Sequence, residues 1–152
     1  MGKSLTISLS ALLLLTGLAI PAAATRPQGV TILVTKPLDV ANPGTFVATG
    51  GITDSGVFQQ SDFHEAAIPS PQVGSEHYTD TFTGANGTIV ADVNTLLTFV
   101  APGPIFAEDG PWIITGGTGA YANVYGQGTL HKIIDVPRGV VTIMFTGEVH
   151  FE

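Results

Sequence analysis

Cysteine is absent from the 152-residue chain, and basic residues are scarce, with 5 Lys and Arg against 12 Asp and Glu. A chain without thiols has no disulfides, thiol nucleophile, thiolate metal site or iron–sulfur cluster. Its net charge of −7 repels phosphate backbones and anionic lipid surfaces, and no basic cluster offsets this charge. We therefore expect no nucleic-acid and no membrane partner, and a fold stabilised by packing alone.

The one long apolar run stands at the start of the chain. Lys3 precedes a mostly apolar stretch over residues 5–20, and residues 22–24 are small alanines. This order is typical of a secretory signal peptide, and the run is too short and too interrupted to span a membrane comfortably. The sequence predicts a signal peptide over residues 1–24, cleavage near Ala24, and a secreted or periplasmic protein.

The remaining chain has the length of a single domain. Residues 25–44 are predicted to be an N-terminal segment with at most one strand, because Pro27, Pro37 and Pro43 punctuate it. Residues 45–152 are predicted to form a β-barrel domain.

Strand-like runs follow one another almost without pause after residue 44. Asn86-Gly87 gives the strongest hairpin signal, and prolines predict loops at 66–74 and 101–111. No window of helical length has a period of 3.6 residues. The predicted strands cover residues 31–35, 45–52, 57–65, 77–83, 88–100, 112–115, 129–135 and 140–151. The pattern predicts an all-β fold of seven or eight antiparallel strands, as a closed barrel or a sandwich.

A glycine-rich stretch at residues 116–128 allows two interpretations. Gly-Gly-Thr-Gly after a strand is typical of a dinucleotide-binding loop at the start of a helix. Here Gly126 and Gly128 cut that helix below two turns, and the 33 residues after Gly119 are too few for further βα units. The alternative is a tight corner between two strands, where glycine permits positive φ and close backbone approach. We favour the corner.

The stretch Ile113-Ile-Thr-Gly-Gly-Thr-Gly-Ala-Tyr-Ala-Asn-Val-Tyr-Gly-Gln-Gly-Thr-Leu-His-Lys-Ile-Ile134 resembles the allene oxide cyclase barrel family and, more distantly, the dirigent proteins. The similarity is clear over about residues 103–147. It implies a calycin-type barrel of eight antiparallel strands with an apolar cavity that folds up a lipid-derived epoxide or orients phenoxy radicals, often in a trimeric assembly. It carries over no catalytic residue, since residues 25–65 do not match the family's N-terminal strands.

Carboxylates within strand-like runs are the candidate site residues, because alternate residues of a barrel strand point inward. They are Asp62, Asp80, Asp92 and Glu148. Inside an apolar barrel such a group has a raised pKa and can serve as an acid or base, whereas on the outer face it is only solvated. Tyr78 shares a face with Asp80, so we predict that this pair lines the mouth of the cavity, and we add Glu148 as a third candidate.

The four histidines give no sign of a metal site. A hairpin turning near Pro137 places His131 opposite residue 143 and far from His150. His64 and His77 complete the set, and no pair of these side chains is predicted to converge as metal binding requires. We expect no metal and no other cofactor.

Taken together, the residues and the resemblance predict an exported barrel that binds a small hydrophobic molecule in its lumen. Three versions stay open: a cavity that steers a cyclisation or coupling, a lipocalin-type carrier without turnover, and a filled barrel that serves as an extracellular structural or interaction module.

Overall fold

The computed structural model describes residues 24–67 and 73–152. The predicted signal peptide, apart from Ala24, lies outside the described residues, as does the middle of the predicted 66–74 loop. Within the described ranges no helix is long and apolar enough to cross a bilayer.

Eight strands form a closed antiparallel barrel in which each strand pairs with its neighbours in sequence, and β1 pairs with β8. The all-β barrel prediction is confirmed. The strands are β1 Gln28–Pro37, β2 Gly44–Gly50, β3 Asp54–Ala67, β4 Val73–Gly84, β5 Thr88–Ala101, β6 Ile105–Gly117, β7 Val124–Asp135 and β8 Val140–Phe151.

The barrel begins before the predicted boundary at residue 45, because β1 closes the sheet. Ten consecutive residues of β1 pair with β8, from Gln28 with Val149 to Pro37 with Val140. Pro27 and Pro37 fall at the ends of this strand, where a missing N–H costs no internal ladder bond. Closure leaves no exposed sheet edge.

Strand β6 corrects the predicted loop over residues 101–111. It runs without a break through Pro111, a residue that normally argues against a central strand. On the β5 side Val93 pairs with Trp112 and Leu96 with Asp109, and the ladder skips the residues between them. Pro111 has Thr129 as its partner on β7 but no partner on β5, so the strand continues at the cost of a local gap in its ladder with β5.

Strand β7 likewise begins at Val124, five residues before the predicted start, so Gly126 and Gly128 lie inside it. Trp112 pairs with Gly128, which pairs in turn with Gly147 on β8. A Cβ on Gly147 would lie 2.7 Å from Cζ2 of Trp112. Gly147 therefore makes room for the indole, whereas a Cβ on Gly128 would clash with the β8 backbone at Thr146 and Gly147.

The glycine-rich corner is a single 3₁₀ turn, Gly119–Tyr121, between β6 and β7. Gly119 has a φ of +62°, which favours glycine. Tyr121 is buried and donates its hydroxyl to Asp54 Oδ2 at 2.9 Å, while the Ala120 amide donates to the Asn86 carbonyl at 2.8 Å. The corner closes one end of the barrel against the β2–β3 turn and the β4–β5 hairpin, and no nucleotide-type helix follows it.

Candidate functional site

The lumen is divided into an apolar half and a polar half. At the end closed by the corner, aromatic rings fill the interior: Phe82 lies 5.4 Å from Phe46, 5.3 Å from Phe58 and 5.3 Å from Phe145 between ring centroids. Trp112 extends this packing at 6.3 Å from Phe145. Offset and edge-on rings at these separations are stabilising, and they leave this half filled.

The polar half arises because the inward-facing stripe of several strands changes character along its length. On β1 the buried residues Val30, Ile32 and Val34 are followed two positions later by Lys36. The same change from apolar to polar occurs on β3, β4, β5, β6 and β7. The resulting buried set, here called the lumenal polar cluster, comprises Lys36, Gln60, Glu76, Tyr78, Asp80, Thr95, Glu108 and Lys132.

Glu108 and Lys132 form the centre of the cluster. They are cross-strand partners on β6 and β7, with Lys132 Nζ 2.8 Å from Glu108 Oε1 and 3.0 Å from Oε2. Tyr78 and Thr95 also donate their hydroxyls to Glu108 Oε2, each at 3.1 Å. Three donors converge on a carboxylate that is 0% exposed, and this arrangement compensates much of the cost of burying it.

Two further charged groups stand near this pair. Lys36 donates from Nζ to the carbonyls of Pro37 and Asp39, both at 3.0 Å, and its burial, with Lys132 nearby, lowers its pKa. Glu76 Oε2 lies 4.0 Å from Lys132 Nζ. Burial and the neighbouring Glu108 carboxylate raise the pKa of Glu76 to about 7, against the opposing effect of Lys132.

Asp80 differs from the other acids because no protein group within the described residues hydrogen-bonds to either of its carboxylate oxygens. It is 0% exposed, and burial raises its pKa well above the ordinary value of 3.8 despite the nearby ammonium of Lys132. Its direct cross-strand partner on β3 is Gln60, whose Nε2 also has no hydrogen-bond partner among the described residues. Two adjacent lumenal side chains thus retain unused hydrogen-bonding capacity.

A cavity of about 190 Å³ lies above this cluster, at the end of the barrel opposite the glycine-rich corner. Its polar wall is made by cluster members, including Gln60, Glu108 and Lys132. Its apolar wall comes from the β1–β2 turn and from β3, β7 and β8, at Leu38, Val40, Phe63, Ile134 and Val141. The site therefore offers an apolar rim above buried hydrogen-bonding groups.

A β-bulge helps to shape this rim. The β3–β4 register shifts between Ser61 and His64, and Asp62 adopts a φ of +51°, which is uncommon for a residue other than glycine. The shift places the Phe63 ring parallel to that of Tyr78, with centroids 6.5 Å apart. Bulges that redirect a side chain are frequent beside binding sites. Here the bulge directs an aromatic ring over the cluster.

The three predicted cavity residues have different positions. Tyr78 and Asp80 both point into the barrel and belong to the lumenal polar cluster, but they are fully buried beneath the cavity and do not line its mouth. Glu148 does not line the lumen: Phe145 and Val149 face inward on β8, so the alternation turns Glu148 outward, where it is exposed. The other two acids considered also miss the cavity, since Asp62 is exposed at the bulge and Asp92 accepts a hydrogen bond from Thr79 on the outer face.

Sequence reasoning missed Lys36, Gln60, Glu76, Glu108 and Lys132. Glu108 lies in a stretch that was predicted to be a loop, so strand alternation gave no prediction that its side chain faces the lumen. A signal did exist for Lys36 and Lys132, because each stands two residues after a buried apolar side chain, Val34 and Leu130. A lysine at a position that continues the alternating series of buried side chains in a strand indicates a buried charge.

The outer face of the described barrel carries shallow depressions. One of about 500 Å³ is a groove beside Gly128 and Gly147, bordered by Asp92, Pro111 and Glu148. Within residues 24–67 and 73–152, no three His, Asp or Glu side chains converge on a common metal position. No family model, curated protein or solved structure matches the chain.

Proposed function

We propose that the protein binds a small, mainly hydrophobic molecule in the open end of its barrel, with the polar group of that molecule directed at the lumenal polar cluster. The observation that carries this proposal is the combination of an apolar rim with buried, partly unsatisfied polar groups in one cavity. Binding sites for small molecules typically join apolar walls to a few convergent polar groups.

The packed half of the lumen limits the size of the ligand. A dry cavity of about 150 Å³ holds a benzene molecule, and the present cavity measures about 190 Å³. A single ring with a short substituent fits this volume, and a longer chain would have to extend past Val40 and Phe63 into solvent. The site is smaller than the wide lumen of a lipocalin-type carrier.

Native mass spectrometry of the protein purified from its own source tests the proposal. We expect a reproducible small-molecule adduct that a Val40→Trp variant loses, because the indole would fill the rim of the cavity. Val47→Trp is the matched control, since Val47 is 54% exposed on the outer face of β2. Reproducible absence of any adduct, together with no response to small apolar ligands, would leave a filled barrel with a structural or interaction role.

A catalytic version of this function would use Asp80. Asp80 does not line the cavity but is the cross-strand partner of Gln60, which does, and burial raises its pKa. A carboxyl group with a raised pKa can donate a proton and take one back, which is the role an acid–base group has in a cyclisation. Cyclisation leaves the mass of a ligand unchanged, so chromatography of the released molecule against the supplied precursor distinguishes turnover from binding. Recovery of unchanged precursor after long incubation would identify a carrier.

The location and the assembly are part of the same proposal. The sequence of residues 1–24 supports export to the periplasm or the medium, and the family resemblance supports a trimer. N-terminal sequencing of the exported protein should begin near residue 25, and light scattering should give the subunit number. A protein retained in the cytoplasm with Met1 intact would contradict the first expectation.

A further inference from the structure

Glu108, Lys132 and Lys36 of the lumenal polar cluster are already paired with one another or with the backbone, whereas Asp80 has no hydrogen-bond partner among the described residues but does not line the cavity. Glu108 accepts from Lys132, Tyr78 and Thr95, and Lys36 donates to two backbone carbonyls. An arriving carboxylate would have to take Lys132 from Glu108 and leave that acid buried without its cation. An arriving ammonium ion would enter beside two lysines, and Glu108, the acid at the centre of the cluster, is already paired with Lys132. Both exchanges carry the large cost of an unpaired buried charge.

Two atoms of the cavity wall have no hydrogen-bond partner among the described residues, Glu108 Oε1 and Gln60 Nε2. Glu108 Oε1 lies 2.8 Å from the Lys132 ammonium, so the donor left without any partner is the uncharged amide of Gln60. Gln60 is 5% exposed, lines the cavity, and has no partner for its Nε2 within the described part of the chain. An amide N–H donates to any neutral acceptor, such as a carbonyl or hydroxyl oxygen. Satisfying a buried donor recovers the desolvation cost of leaving it unpaired.

We propose that this cavity recognises an uncharged hydrogen-bonding group, such as an amide, ketone or alcohol on a small apolar body, and that Gln60 is the residue that selects it over a carboxylate or an ammonium ion. This specificity rests on the function proposed above. The apolar body lies against Phe63, Leu38 and Val40 at the rim, and its polar end reaches down to Gln60.

Three probes of nearly equal shape separate the possibilities: benzamide, benzoate and benzylamine. Each carries one ring that fits about 190 Å³, and at neutral pH they are uncharged, anionic and cationic, respectively. Amide chemical shifts of the ¹⁵N-labelled wild-type barrel are followed during titration with each probe. We expect benzamide to shift residues around the cavity and to bind at least about tenfold more tightly than either ion.

The Gln60→Leu variant tests whether Gln60 is responsible for the preference for the uncharged probe. Leucine has a similar volume and no polar group, so the barrel should remain at least as stable, while the preference for benzamide over benzoate should fall by about tenfold. Gln59→Leu is the control, because Gln59 is the neighbouring residue on β3 and is exposed on the outer face. It should leave the preference unchanged.

The outcomes separate the specificity from the function on which it rests. Tighter binding of benzoate or benzylamine in this cavity would overturn the specificity and leave the ligand-binding function intact. An unchanged preference in Gln60→Leu would overturn the role of Gln60. Failure of all three probes to shift any cavity residue, up to their solubility limits, would overturn both proposals.

Discussion

Replacement of Asp80 by Asn should make the barrel more stable, and increasingly so as the pH rises. Asn has nearly the same shape and remains uncharged at every pH. Asp80 is buried without a hydrogen-bond partner among the described residues, and its pKa in the folded protein is well above 3.8 because burial disfavours its charge. The wild-type protein must either hold a proton on this group or bury a charge, whereas the Asp80→Asn variant faces neither cost.

The magnitude follows from proton linkage. A carboxyl group whose folded-state pKa is raised contributes most to stability below its unfolded pKa, and this contribution is lost as the pH rises towards the folded pKa. Between those two values the folded state binds one more proton than the unfolded chain, so the free energy of unfolding falls by about 1.4 kcal/mol per pH unit. The variant lacks this slope. Its advantage over the wild type should therefore grow with pH, at up to about 1.4 kcal/mol or on the order of 5 °C in Tm per pH unit, until Asp80 ionises in the folded protein.

Urea unfolding at pH 5.0, 5.5 and 6.0 measures this difference for the wild type and the variant in parallel. This range is chosen below the pKa of about 7 for Glu76, which contributes its own pH dependence to both proteins. Glu148→Gln is the control, because it removes an exposed carboxylate from the outer face. Its effect should stay within about 0.5 kcal/mol throughout.

A constant difference between wild type and Asp80→Asn across this range would refute the reasoning. It would mean that Asp80 is ionised inside the barrel, as a paired carboxylate would be. The ¹³C chemical shift of the Asp80 carboxyl carbon in the wild type gives an independent reading: we expect this carboxyl group to ionise at a higher pH than an exposed aspartic acid.

Two further predictions concern packing and charge. Lys132→Met leaves Glu108 buried without its cation and should lower the free energy of unfolding by about 3–5 kcal/mol. Adding Glu108→Leu to this variant should restore much of the loss. Equal stability of the single and double variants in urea unfolding would contradict the pairing. A Cβ added at Gly147 would clash with the Gln127 carbonyl oxygen on β7 and lie 2.7 Å from Cζ2 of Trp112, so Gly147→Ala should cost about 1–3 kcal/mol and shift the indole fluorescence. Gly116→Ala, with no atom within 4 Å of the added Cβ, should change neither.

The fold was predictable from the sequence because most strands can be recognised from their own residues, in which side chains alternate with a period of two. Residues 140–151 alternate between apolar and polar, and the structure has β8 over this range with Val141, Ile143 and Phe145 buried on the inner face. Asn86-Gly87 marked the β4–β5 hairpin for a similarly local reason, and Gly87 has a φ of +144°. Strand β6 was not predictable in the same way, because only its pairing with β5 and β7 shows that the strand continues through Pro111 with a gap on the β5 side.

The candidate site was predictable only in part. Alternation alone places Tyr78 and Asp80 on one face, and it places Glu148 on one face as well, but it does not say which face is the lumen. Near the cavity the inward-facing residues of β4 are polar, so the usual rule that apolar side chains mark the inner face of a barrel strand gives the wrong assignment there. The pairing of Glu108 with Lys132 joins β6 to β7 and depends on a register that the chain does not display locally.

The contrast between the two halves of the lumen is the strongest physical argument for a site. The filled half shows that this chain can pack a barrel with rings and branched side chains, so polar residues are not a general requirement of the fold. In the other half, Asp80 and Gln60 stand where well-packed apolar residues would be neutral or stabilising. Polar groups that cost stability and lack partners are expected where function requires them. Substitution of both by apolar residues should therefore raise the stability of the barrel and abolish its selectivity for a ligand.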